Sequence, residues 1–126
     1  MTVGLAASHA NALLEIYRST SFTAITLYAK LHTGDPGSAG TSNASGVTTR
    51  YACTFAAASA GAMALSASPT SWTMTGTETL THISLWDNST AGNFIRSVAL
   101  SSSKSVVNLD TFTLSALSFS YTPLAA

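Results

Sequence analysis

Apolar and polar residues alternate along much of this chain, and a two-residue period predicts strands. Across 25–31, Ile25, Leu27, Ala29 and Leu31 share one face while Thr26, Tyr28 and Lys30 share the other. Across 49–55, Tyr51, Cys53 and Phe55 fall together. The segment 77–100 predicts a hairpin. In its first run Thr81, Ile83 and Leu85 oppose His82, Ser84 and Trp86; in its second Phe94, Arg96, Val98 and Leu100 oppose Ile95, Ser97 and Ala99. Between them Asp-Asn-Ser-Thr-Ala-Gly-Asn supplies side chains that bond their own backbone and a glycine that accepts positive φ. Both faces of this hairpin carry apolar bulk, so both need cover.

The remaining segments are shorter. Met63 and Leu65 predict a weak strand before Ser68-Pro69, and Trp72 with Met74 another that ends at Gly76. Both read as edge strands. After a turn at 101–104, Val106 and Val107 predict a brief strand, 108–110 a second turn, and 111–121 a final long strand. In that strand Phe112 and Leu114 share one face and Leu117, Phe119 and Tyr121 another, so the phase slips near Ala116, which predicts a β-bulge. One stretch has the helical period. In 8–18, Ala10, Leu13, Leu14 and Tyr17 repeat at helical spacing behind Ser8 as N-cap, and 19–23 breaks the pattern. Such a short helix is marginal alone, so its apolar stripe must dock on its own sheet or on a neighbouring subunit. The predicted fold is one domain over 1–126: mainly β, an antiparallel β-sandwich of about seven or eight short strands with a short N-terminal helix.

Residues 32–46 contain no apolar residue larger than Ala or Pro, and Asp35-Pro36-Gly37 is itself a turn signal. Loops of this length commonly carry contacts. Composition narrows the classes of partner. Only 8% of residues are charged, where about 25% is usual, and five Lys and Arg balance five Asp and Glu. The polar surface must come instead from 19 Thr and 20 Ser, and Thr suits an exposed strand. Zero net charge removes the attraction that drives non-specific nucleic-acid binding, so no nucleic-acid partner is expected. It also removes self-repulsion, which favours packing in an assembly. The single Cys53 excludes an internal disulfide and reads as core. No run approaches the about 18 apolar residues of a membrane span, and the N-terminus lacks the basic and apolar blocks of a signal peptide. Synthesis and folding in a cytoplasm, with no membrane partner, is the expectation.

The ordered set Leu27-Tyr-Ala-Lys-Leu-His-Thr-Gly-Asp-Pro-Gly37, Arg50-Tyr-Ala-Cys-Thr-Phe55, Thr81-His-Ile-Ser-Leu-Trp-Asp87, Gly92-Asn-Phe94, Leu100, Ser103-Lys104 and Asp110-Thr111 resembles a family of small virion proteins of tailed bacteriophages. These are described as tail-fibre proteins of actinobacterial phages. The resemblance implies a structural component made in the host bacterial cytoplasm and assembled on the virion. The chain has no coiled coil, collagen-like stalk or β-helical repeat, so it is a compact knob. That favours a minor capsid or decoration protein that cements the shell, a homotrimer similar to other small decoration proteins, with the major capsid protein as partner. The alternative is a tail-fibre or tail-tip component binding a host-surface glycan or receptor.

Under the first reading the contacts are Leu13, Leu14 and Tyr17 on the helix and Asp35, Pro36 and Gly37 in the loop. Under the second they are Trp86, Asp87, Asn88 and Gly92 at the hairpin turn. Catalysis is not expected. His32, Asp35 and Ser38 fall close in sequence, but a Gly- and Ser-rich loop cannot hold a base and nucleophile in register. Neither Asp87 with Asn88 nor His32 with Asp35 supplies the donors a metal ion requires. No cofactor is expected.

Overall fold

The computed structural model describes residues 3–19, 21 and 23–121. The chain folds as helix α1 (Ala7–Glu15), a 3-10 turn (Ile16–Arg18) and eight strands: β1 (Leu27–His32), β2 (Tyr51–Phe55), β3 (Ala62–Ala67), β4 (Trp72–Thr73), β5 (Glu78–Trp86), β6 (Phe94–Val106), β7 (Thr111–Phe112) and β8 (Ser118–Ser120). Six strands pair in the order β6-β5-β1-β2-β3-β8, and β4 pairs with β7 in a separate ribbon. Every strand pairing is antiparallel. The sheet curls into a half-barrel whose two edge strands approach each other, with the Arg96 guanidinium of β6 4.4 Å from the Phe119 ring centre of β8. The fold is thus mainly β with one short helix.

The concave side holds the core. Registers Leu31↔Ile83↔Val98 and Ala29↔Leu85 put the apolar alternation of β1, β5 and β6 inward, as the sequence pattern predicts. The β4-β7 ribbon closes the concavity with Trp72, Met74 and Phe112. Trp72 is fully buried, donates its indole N–H to Thr49 O at 2.9 Å and meets Tyr51 edge-on at 5.2 Å. The segment expected to form an edge strand therefore contributes the largest core side chain. Cys53 is buried, and its surroundings push the thiol up to about 11, so it stays protonated and inert.

Four local expectations change. Ser8 is not the N-cap: the helix begins at Ala7 behind Ala6, with no side-chain cap. The turn expected at 101–104 lies inside β6, because Leu80 pairs with Lys104 and His82 with Ala99, leaving residues 100, 101, 102 and 103 opposite Thr81 alone. The turn-forming serines bulge the strand without ending it, since β5 continues beyond them as a template. A second shift, Trp86↔Phe94 followed by Leu85↔Arg96, inserts Ile95 as an extra residue. Phe94 consequently stands on the convex side with Trp86, apart from Arg96 and Val98. The final strand, finally, is two strands: β7 pairs with β4 and β8 with β3, so the phase slip near Ala116 marks a crossing between sheets. Ser19, at φ 63°, ends the helical segment as expected; Thr20 and Phe22 of the expected break lie outside the described residues.

Candidate functional site

Three regions carry the residues singled out by sequence, beginning with the hairpin turn. Asp87 closes it: one carboxylate oxygen accepts the Asn93 backbone N–H at 2.7 Å and the other the Asn93 side-chain amide at 2.9 Å. These bonds, the backbone one first, hold the carboxyl below its ordinary value. Asn88 Oδ1 accepts the Thr90 N–H, and Gly92 sits at φ 74°, where an added Cβ would lie 2.5 Å from Asp87 Oδ1. Arg50, from the segment before β2, donates to Asn88 O at 3.1 Å and Ala91 O at 2.6 Å. Its guanidinium lies 3.9 Å from the Trp86 ring centre. Trp86 is only 7% exposed: Arg50 covers it, Phe94 packs at 5.6 Å, and its indole N–H donates to Ser84 Oγ at 2.8 Å. The indole is the foundation of the turn and offers no open stacking face.

The second region is the loop 33–46, which folds over the convex side. His32, fully buried, bonds Ser42 O through Nδ1 at 2.8 Å and Ser84 Oγ through Nε2 at 2.7 Å. A carbonyl only accepts, so Nδ1 carries the proton and Nε2 accepts from Ser84, whose oxygen in turn accepts from Trp86. Every polar atom of that chain is satisfied. Burial lowers the His32 pKa, which keeps the ring neutral. Asp35 Oδ1 accepts the Gly37 N–H at 2.8 Å, Pro36 is buried, and Asn43 ties back to Asp35 O at 2.9 Å. Gly40, at φ 72°, lies so close to Phe94 that a Cβ would overlap the ring. His32 and Asp35 thus bond different partners and Ser38 joins neither, while the second carboxylate oxygen of Asp35, Oδ2, is buried without a hydrogen-bond partner among the described residues. Among the described residues no group of three His, Cys, Asp or Glu converges on an ion-sized space, and no helix is long and apolar enough to cross a membrane.

The third region is the N-terminal helix. It is fastened by the chain before it: Ala6 N–H donates to Ile95 O and Ser97 N–H to Gly4 O, both at 2.8 Å, so Gly4 to Ala6 extend the edge of β6. The helix itself buries no residue completely. Leu13 is half-buried, whereas Leu14 is 63% exposed, Ile16 48% and Tyr17 88%. The stripe is split, with one side leaning on the sheet and the other bare.

Arg96 escaped the sequence reading, although its place in an apolar row was a signal. It lines a groove of about 540 Å³ between α1, the chain at Ile25 to Leu27, β2 and β8. Burial lowers its pKa, and its Nε is buried with no hydrogen-bond partner among the described residues.

The sequence as a whole also bears on these surfaces. None of the curated proteins matches it. A family model described as podophage GP4 fiber I protein gp80 matches residues 4–122, taking in helix, loop, hairpin and groove alike. This chain belongs to the podophage GP4 fiber I protein gp80 family, a family of structural phage proteins.

Proposed function

We propose that the protein is a non-catalytic subunit of a podophage virion, assembled into its fibre apparatus through apolar side chains that its own fold leaves uncovered. The observation that carries this reading is the bare end of the helical segment, where Leu14, Ile16 and Tyr17 are each exposed to solvent beside a securely hydrogen-bonded β core. The family description names a fibre and covers nearly the whole chain. Zero net charge suits permanent packing beside copies of itself, and a homotrimer is the assembly to look for. Leu13, Leu14 and Tyr17 are the contacts proposed, with the half-buried edge of the loop at Asp35 and Gly37 as a lesser one. The protein is made in the host cytoplasm and joins the particle there. Actinobacterial hosts, to which the resemblance points, are the first to search.

Shell decoration is the second reading, favoured by one feature: the chain is a compact knob without fibrous repeat. Its partner would be the major capsid protein. A fibre module binding host glycan needs open aromatic rings, and Tyr17 and Tyr121 rather than Trp86 meet that requirement.

Gold-labelled antibody on intact particles tests the location. Label on tail appendages supports the fibre reading, and label spread over the head overturns it in favour of decoration. Sedimentation equilibrium of the purified chain tests the trimer. A monomer that persists at high micromolar concentration counts against self-assembly.

A further inference from the structure

We propose that the groove beside Arg96 is a docking site for a carboxylate-bearing apolar segment of an adjoining virion protein. The proposal rests on the reading of the chain as a virion subunit, and its test is independent of where on the particle the subunit sits.

The groove holds an imbalance of charge. A half-buried arginine with a buried donor normally turns that donor to a carboxylate or a carbonyl, because removing it from water unpaired is costly. Arg96 has neither. Phe119 lies with its ring centre 4.4 Å from the guanidinium carbon, and no Asp or Glu among the described residues lines the groove. The Nε donor is out of reach of water and lacks an acceptor among the described residues. Arg50 shows how this fold treats an arginine used for its own stability, with two carbonyl acceptors and a tryptophan face. Arg96 shares the stacking and lacks the acceptors.

The rest of the groove selects what accompanies the anion. Leu27 and Phe55 form an apolar floor, and three of the large apolar residues exposed on this protein, Leu5, Ile25 and Tyr121, stand along its rim. A free inorganic anion would leave that surface wet; a segment with an Asp or Glu between apolar residues would cover it and give Arg96 a planar, fork-shaped partner. The low-dielectric walls strengthen that pair once water is displaced. A peptide is favoured over a small molecule because apolar residues from the helix, the chain at Ile25 to Leu27, β2 and β8 all line the groove, a longer apolar surface than a single small anion would cover.

Heteronuclear NMR titration of the intact chain with N-acetyl-leucine, against N-acetyl-leucinamide as the uncharged control, tests the chemistry. The acid should give saturable shifts centred on 95–97 and 119–121, with binding about tenfold weaker for the amide. Arg96→Gln should remove that preference and Arg96→Lys retain part of it. Equal binding of acid and amide overturns the proposal, as does acid binding unchanged in Arg96→Gln. If Arg96→Gln fails to fold, the acid and amide comparison on the native chain decides alone. A photo-crosslinker at Thr26, exposed beside the groove, then identifies the occupant in intact particles. An adduct to a neighbouring protein's segment containing Asp or Glu supports the proposal; an adduct to a lipid or small molecule only, or none, overturns it. Gold label on the head with acid-selective binding intact would overturn the fibre reading and leave this site standing.

Discussion

Arg50 and Arg96 both lay a guanidinium on an aromatic ring, yet the two regions around them are built for different ends. At Arg50 every partner is internal: two turn carbonyls, the Trp86 face and, behind it, the satisfied chain Trp86–Ser84–His32–Ser42. At Arg96 the ring is present but the buried Nε has no acceptor among the described residues, and the surroundings are apolar side chains half open to water. A folded chain pairs its buried donors wherever its own atoms suffice. The contrast therefore separates a region that stabilises the fold from one shaped for a partner, and each side can be broken separately.

Trp86→Ala should have the largest effect. It removes a buried ring from between Arg50 and Phe94 and takes the indole donor from Ser84, so about 3–5 kcal/mol of stability should be lost in denaturant unfolding. A loss below about 1 kcal/mol would mean that the convex side is not a second core, and the comparison would collapse. Arg50→Ala comes next, at about 1–2 kcal/mol, since two hydrogen bonds and one partly exposed stacking contact go while the ring stays. Hydrogen exchange should show the loss concentrated in residues 87–93; uniform loss would argue against a local lock.

A third effect appears only against pH. Burial lowers the His32 pKa below its ordinary 6.5, so the unfolded chain takes up the proton first. Above 6.5 neither state is protonated and the stability is fully present. As pH falls from 6.5 towards the lowered value it is progressively lost, with His9, lowered mainly by burial, adding in the same direction. Asp87 acts in a separate window: its contribution is present above 3.8 and lost as pH falls through its lowered value. Unfolding measured from pH 8 to 5 should show the decline, and His32→Gln should flatten most of it. A slope unchanged in His32→Gln would shift the effect to His9.

These two regions were not equally legible in the sequence. The alternation of Leu27, Ala29 and Leu31, the core place of Cys53 and the turn at 87–93 follow from local pattern and turn chemistry, which need no knowledge of distant partners. The burial of Trp86 does not, because its cover comes from Arg50, from Phe94 moved to the convex side by the bulge at Ile95, and from the loop 33–46 that packs on Phe94 through Gly40. The same bulge takes Phe94 out of the row that Arg96 and Val98 keep. Register shifts depend on the partner strand, and a single strand's periodicity carries no record of them. The division of the last strand between two sheets is hidden for the same reason. Only Arg96's position among Phe94, Val98 and Leu100 hinted that a charge had been placed where apolar residues belong.

Arg96→Met should have the smallest effect on stability, and it is the sharpest test of the contrast. Met retains the apolar reach of the stem over Phe119 and discards a buried donor that has no acceptor. What is lost is one stacked cation at a half-open site; what is gained is relief from an unpaired desolvated group. The two nearly cancel, so the unfolding free energy should change by less than about 0.5 kcal/mol, against about 1–2 for Arg50→Ala. In assembled particles the order should reverse, with Arg96→Met reducing incorporation of the subunit more than Arg50→Ala does, as read by quantitative mass spectrometry of purified virions. A destabilisation above about 2 kcal/mol in Arg96→Met would make Arg96 a second structural arginine and remove the difference between the regions.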